Sequence, residues 1–278
     1  MRVILRRATL IFALLAGLAG CADNGGESSI VGPGLETGSG RVYPLEELFL
    51  PANDGVQVSA LFGPTNLTQP RPVVILIHDL SDAKEAWLND TSLLLGLLER
   101  GYLVVAIDLR GYGQTALPDG RQVPLLDDLE RSFLDVHAVL DWLQGLPGAD
   151  GERVGLIGHG SGGNIAYVSM GVFPQRIKTA VSLSPGLWER DSLQPVVIGS
   201  GLDPFGPRSI LFMAGGQDVL SGGDVVLSYA DFARALAAGT GDPTSVLVYP
   251  NSADHGLDLL NNVPEAVDSI FLWLENNL

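Results

Sequence analysis

Cysteine is nearly absent from this chain: Cys21 is the only one among 278 residues. A single thiol cannot close an intramolecular disulfide, so no such bond staples the fold. Positive charge is also scarce, with 16 Lys and Arg against 32 Asp and Glu and a net charge of −16. So acidic a chain is a poor partner for nucleic acid or anionic lipid head groups, and its acidity reads as a solvation feature. There are only four histidines. No cluster of ligating side chains has metal-ligand spacing, so neither a metal nor a cofactor is expected. The glycines at 158, 160, 162 and 163 are not followed by Gly-Lys-Ser/Thr, which excludes a phosphate loop. No internal repeat is visible. The apolar run from Ala8 to Leu18 is shorter than the ~20 residues a spanning helix needs.

What the N-terminus does contain is an export signal. Arg2, Arg6 and Arg7 form a positive n-region, the short apolar run follows, and small residues lead to Cys21. Leu18-Ala19-Gly20-Cys21 resembles the lipobox of bacterial lipoproteins. That resemblance implies lipidation of Cys21, cleavage of residues 1–20 and a membrane anchor. An ordinary signal peptide with a chance cysteine is the rival reading. More than one acyl chain on one residue anchors stably, where a single chain is marginal. Loss of three arginines and no acids would take the net charge from −16 to −19. Residues 21–41 are rich in Gly, Ser and acid and read as a flexible tether. Ala22 rather than aspartate after the cysteine implies the outer membrane in a Gram-negative cell, on its periplasmic or surface face. A Gram-positive surface is the alternative.

The body, residues 42–278, is long enough for one domain. Strand-like and helix-like segments alternate, which predicts a mostly parallel central sheet with helices on both faces. Asn53-Asp54-Gly55 between two strand-like runs predicts an N-terminal antiparallel hairpin. Val73 to Ile77 is a buried strand, and helices are expected over Lys84 to Arg100, Asn164 to Val172, Val225 to Ala238 and Pro264 to Leu278. Leu129, Phe133, Val136, Leu140 and Leu143 recur on one helical face. The short connection between Leu183 and Ile210 leaves little room for a lid domain.

Four segments follow predicted strands, where sites assemble in open α/β sheets. They are His78-Asp79, the run Asp108 to Gly113, the run Gly158 to Gly163, and the late pair Asp218 and His255. His137 lies mid-helix and reads as structural. Together the four segments resemble the α/β-hydrolase family, including its serine esterases and dienelactone hydrolases. The resemblance implies Asp218 as the acid that orients His255, and His255 as general base. It implies backbone N–H donors at Leu80 and Ser161 for an oxyanion. The turn itself departs from the family pattern, since Gly160 stands at the apex where a nucleophile is expected. Ser161 is one position late, a rotation of ~100° along a helix.

Three roles therefore stay open: Ser161 as nucleophile, a water activated by His255, or a catalytically inactive relative that binds a ligand or an envelope partner. Asp79 replaces the family's glycine, and a carboxylate there opposes developing negative charge unless it points away or is protonated. His78, Asp79, His159 and Trp188 are expected to line the pocket. The overall expectation is an anchored hydrolase of ester or amide bonds in small substrates, a monomer without a nucleic-acid partner.

Overall fold

The structure, a computed structural model, describes residues 30–31, 35–36, 42–80, 82–89, 91–121, 123–186, 206–222 and 225–278. Cys21, the expected signal peptide, Trp188 and most of the expected tether and of the 183–210 connection lie outside these residues. Short strands β1 (Ile30–Val31), β2 (Leu35–Glu36) and β3 (Val42–Tyr43) precede the hairpin of β4 (Glu46–Pro51) and β5 (Gln57–Gly63). The parallel strands are β6 (Arg71–Ile77), β7 (Leu103–Ile107), β8 (Ala149–His159), β9 (Thr179–Leu183), β10 (Arg208–Gly215) and β13 (Gly241–Tyr249). Between the last two lies a separate hairpin, β11 (Val219–Gly222) with β12 (Val225–Ser228). The nine-stranded sheet runs β1-β4-β5-β7-β6-β8-β9-β10-β13, antiparallel as far as β7 and parallel from there on.

Helices cover both faces. They are α1 (Ala86–Asn89), α2 (Thr91–Glu99), α3 (Leu126–Glu130), α4 (Phe133–Leu143), α5 (Ser161–Val172), α6 (Tyr229–Ala238), α7 (Leu257–Asn262) and α8 (Pro264–Asn277). Strand alternation divides the core between the faces. Val73, Ile75 and Ile77 join the cluster containing Val136, Leu140, Ile165 and Leu236, while Val74 and Leu76 join that of Leu97, Ile270 and Leu274. Being buried on both sides is why β6 reads as an unbroken apolar run.

Three sequence expectations change. The face read from Leu129 to Leu143 is split between α3, which ends at Glu130, and α4, which begins at Phe133. The helix expected over Lys84 to Arg100 is two helices, the first ending at Asn89 and the second beginning at Thr91. Val225–Ser228 is a strand rather than a helix start. Its Val-Val-Leu sequence suits pairing with β11, and Ser228 then caps α6 by accepting the Asp231 N–H at 3.3 Å.

Two buried ion clusters tie the loops beyond the parallel strands. Lys84 Nζ reaches Glu47 at 2.9 Å, Glu85 at 3.0 Å and Asp108 at 2.9 Å, joining the segment after β6 to the loop after β7. Burial works against the charge on Lys84, but its bonds to Asp108, Glu47 and Glu85 outweigh that and hold it protonated. Arg110 pairs with Asp135 on α4 and with Asp54 in the hairpin turn, at 2.7 and 2.6 Å.

Candidate active site

All the groups in question lie at the carboxyl ends of β6, β8, β9, β10 and β13. After β10, the Gly216 N–H donates to Tyr249 O and the Gln217 N–H to Ser252 O, so this turn is laced to the loop after β13. That lacing brings Asp218 and His255 together. His255 Nδ1 lies 2.9 Å from Asp218 Oδ2 and 3.2 Å from Oδ1, and the nearly fully buried carboxylate makes Nδ1–H the donor. Burial lowers the His255 pKa, yet the Asp218 hydrogen bond, with the charges of Asp218, Asp79 and Asp258, raises it above 6.5. Tyr229 stands edge-on to the ring with centroids 4.3 Å apart.

Ser184, beyond β9, is a functional residue that sequence reasoning missed. Its hydroxyl donates to Asp218 Oδ2 at 2.8 Å and accepts the Gly256 N–H at 3.1 Å, so one side chain bridges the acid and the residue after the histidine. Ser184 has φ +44°, a left-handed conformation unusual for serine. No pattern in the sequence marks it, because its partners are 34 and 72 residues away.

The turn from β8 into α5 has Gly160 at its apex with φ +56° and ψ −125°. A side chain is strained there by about 1–3 kcal/mol. Gly162, at the start of α5, lies against the Ile77 carbonyl, where a Cβ would collide. The two glycines thus serve different ends: Gly162 lets the helix approach β6, and Gly160 frees the apex. What fills the space above the apex is Asp79. A Cβ built on Gly160 would lie 2.5 and 2.6 Å from Asp79 Oδ1 and Oδ2, and closest of all to Cγ.

The Asp79 carboxylate is neither turned away nor beside the expected oxyanion hole; it is the anion in the hole. The Leu80 and Ser161 N–H groups both donate to Oδ1, each at 2.8 Å. Two amides converging on one oxygen offset the charge that was expected to oppose the site. Oδ2 lies 4.0 Å from His255 Nε2 and has no hydrogen bond among the described residues. Ser161 contributes its backbone. Its hydroxyl makes no hydrogen bond to His255 among the described residues, so the serine–histidine pair that a Ser161 nucleophile needs is not formed in this structure.

His78 and His159 also need correcting, because neither lines the cavity. Both are buried behind Asp79 and grip its main chain. His78 Nδ1–H donates to the Asp79 carbonyl at 2.6 Å, while Nε2 accepts the Leu109 N–H at 3.0 Å. His159 Nε2 accepts the Asp79 N–H at 3.3 Å. Burial lowers the pKa of both rings, that of His159 to about 4, so both act as neutral hydrogen-bonding groups at neutral pH.

The cavity in front measures about 500 Å³. Asp79, Gly160, Ser161 and His255 form its floor, and Leu220, Leu227 and Phe232 supply an apolar wall. The two leucines come from the β11–β12 hairpin, which sequence reasoning did not anticipate. Among the described residues no cluster of His, Cys, Asp and Glu could hold a metal ion, and no helix is long and apolar enough to cross a membrane.

Residues 74–276 match the family described as the alpha/beta hydrolase family. Epoxide hydrolase 3 of Siraitia grosvenorii is 34% identical over 128 residues, 46% of this chain and 37% of that protein. Epoxide hydrolase B of Mycobacterium tuberculosis is 30% identical over 140 residues, 50% of this chain and 35% of that protein. The matches therefore span little more than a third of these curated relatives' length. Among solved structures, an esterase of Pyrococcus furiosus superposes with a TM-score of 0.63 at 16% identity, over 84% of this chain and 93% of that one. A dienelactone hydrolase of Anabaena variabilis superposes with a TM-score of 0.61 at 15% identity, over 84% and 97%. Such low identities speak for the fold alone.

Proposed function

Because the chain belongs to the alpha/beta hydrolase family, we propose that it hydrolyses small apolar substrates at this site, with His255 as the base that activates water and Asp218 as its orienting partner. One observation carries the reading: His255 holds its Nδ1–H on a buried carboxylate and turns Nε2 toward the cavity floor, 4.0 Å from the Asp79 carboxylate that occupies the two amides. A base so held can take a proton from water on the cavity floor, and an ester oxyanion would reach the two amides once the Asp79 carboxylate swings out of the hole. Esters and amides are the first substrates to try. Epoxides are the second, since relatives matching about half of this chain are epoxide hydrolases.

The test is turnover of phenyl acetate, an anilide and styrene oxide by purified protein, with His255→Ala beside it. We expect turnover of at least one class and a loss of about 10²–10⁴-fold in the variant. A folded protein that cleaves none of them would overturn the reading. Fluorophosphonate labelling that disappears in Ser161→Ala would restore Ser161 as nucleophile.

We also propose that Cys21 is lipidated and holds the domain at the cell envelope, in a Gram-negative cell at the outer membrane. The sequence around Cys21 supports this. Cys21→Ala should move the protein from the membrane fraction to the soluble one; an unchanged distribution would refute the anchor. A second reading, a non-catalytic binder of a ligand or envelope partner, is favoured by one observation, the side-chain-free apex at Gly160 with its hole already filled.

A further inference from the structure

We propose that Asp79 is the nucleophile of this site, moved from the elbow to the turn after β6 and aimed at saturated carbon. The inference rests on the hydrolase reading above. Its geometry has three parts. The carboxylate lies where a side chain on Gly160 would begin, so the apex glycine and the aspartate are complementary changes. Oδ1 takes both amides of the hole, which leaves Oδ2 free of hydrogen bonds among the described residues, on the cavity floor and 4.0 Å from His255 Nε2. His78 and His159 hold the main chain of Asp79 from either side, one at its carbonyl and one at its N–H. A side chain present only to block the hole would need no such two-sided grip.

The electrophile follows from the nucleophile. Attack by a carboxylate on an acyl carbon gives an anhydride, which gains nothing over the substrate. Attack on a saturated carbon bearing a leaving group gives an ordinary ester. With an epoxide, Oδ2 bonds to a ring carbon, the ring C–O bond breaks, and the released oxygen takes a proton from cavity water. The resulting ester carbonyl oxygen is Oδ1, already on the Leu80 and Ser161 amides. His255 then removes a proton from a second water, whose hydroxide adds to Asp79 Cγ. Collapse breaks the Cγ–Oδ2 ester bond, the departing diol oxygen takes the proton of the added hydroxyl and the carboxylate is restored, while the His255 proton neutralises the hydroxide left when cavity water protonated the ring oxygen. The net reaction is epoxide plus water to diol, with the enzyme unchanged. The apolar wall of Leu220, Leu227 and Phe232 suits a small hydrocarbon-bearing epoxide.

The decisive measurement needs no variant. Wild-type protein in molar excess over styrene oxide, in water enriched in heavy oxygen, should give first-turnover diol carrying ordinary oxygen from Asp79. After many turnovers the peptide containing Asp79 should carry the heavy isotope. Heavy oxygen in the first-turnover diol with none in Asp79 means direct attack by water and overturns the proposal. In His255→Gln, the whole-protein mass should rise by one intact probe, mapped to Asp79; an adduct on any other residue also overturns it. Asp79→Asn keeps an oxygen acceptor for the two amides and should lose at least about a thousandfold in turnover. Unchanged or raised turnover there identifies Asp79 as a plug. If styrene oxide and cyclohexene oxide give neither diol nor adduct while phenyl acetate is cleaved in a His255-dependent way, Asp79 is not the nucleophile but the hydrolase reading stands. If nothing is cleaved, both fall.

Discussion

A methyl group on Gly160 should unseat the Asp79 carboxylate, and the size of the effect can be worked out. Gly160→Ala places its Cβ 2.5–2.6 Å from both carboxylate oxygens, and the backbone beneath cannot move because the Gly160 N–H donates to Leu183 O at 2.9 Å. Asp79 must swing out and lose two amide bonds. Hydrogen bonds to a charged acceptor contribute about 1.5–3 kcal/mol each, and water entering the open cavity restores part of that, leaving about 2–4 kcal/mol. The unfavourable φ adds about 1–3 kcal/mol. The total is about 3–7 kcal/mol, or roughly 6–28 °C in Tm for a domain this size. In an Asp79→Gly background only the conformational share should remain. Urea unfolding of wild type, both single variants and the double variant should therefore give a coupling of about 2–4 kcal/mol. Additivity within about 0.5 kcal/mol would refute the placement of Asp79 over the apex. The same cycle has a functional arm. Gly160→Ser with Asp79→Gly supplies a hydroxyl at the apex, an empty hole and an intact His255–Asp218 pair, and should gain fluorophosphonate-sensitive esterase activity. Gly160→Ser alone should not, and equal gain in both would mean that the carboxylate was never in the way.

Three further predictions test the surroundings. If neutral His255 is the base, turnover rises with pH through a midpoint above 6.5, because the aspartates around the ring raise its folded-state pKa; Asp218→Asn should move that limb to lower pH, and an unmoved limb would remove His255 from the step. The sign for stability is opposite: the pairing of His255⁺ contributes fully below 6.5 and fades as pH rises through the raised pKa, a trend visible in urea midpoints across that window. Ser184→Ala removes a donor to Asp218 and an acceptor for Gly256 N–H, so kcat should fall about tenfold with KM little changed, and a drop confined to KM would assign Ser184 to binding instead. Lys84→Met leaves Asp108 buried without its cation and should lower stability by about 3–5 kcal/mol in chemical unfolding; a loss below about 1 kcal/mol would show the cluster to be solvated.

The architecture was legible where one physical cause dominated. Val73 to Ile77 reads as a buried strand because both its faces are covered, and the 133–143 face reads as helical because Phe133, Val136, Leu140 and Leu143 meet one core. The break between α3 and α4 and the β11–β12 hairpin were not, since each depends on contacts beyond the local period. At the site, chain order and strand ends were enough to mark Asp218 and His255. Glycine at the apex was visible too, but its reason was not. Asp79 and Ser161 are 82 residues apart, and only the folded sheet sets the carboxylate of one over the amide of the other. His78 and His159 illustrate the same limit: position after a strand identifies a histidine near a site, but which face of Asp79 it touches is a matter of packing.

The β11–β12 hairpin separates two kinds of freedom in this molecule. It belongs to its own two-stranded sheet, so Leu220 and Leu227 reach the cavity from a ribbon that, among the described residues, shares no ladder with β6 or β8, the strands behind Asp79 and Gly160. It joins the site through Asp218, which precedes Val219 and whose carbonyl accepts the Tyr229 N–H at 3.1 Å. Changes of bulk at Leu220 and Leu227 can reshape what the cavity admits while Asp79 and Gly160 keep their register. Substrate range and chemistry are thereby assigned to different pieces of backbone, and selection can revise the first without re-engineering the second.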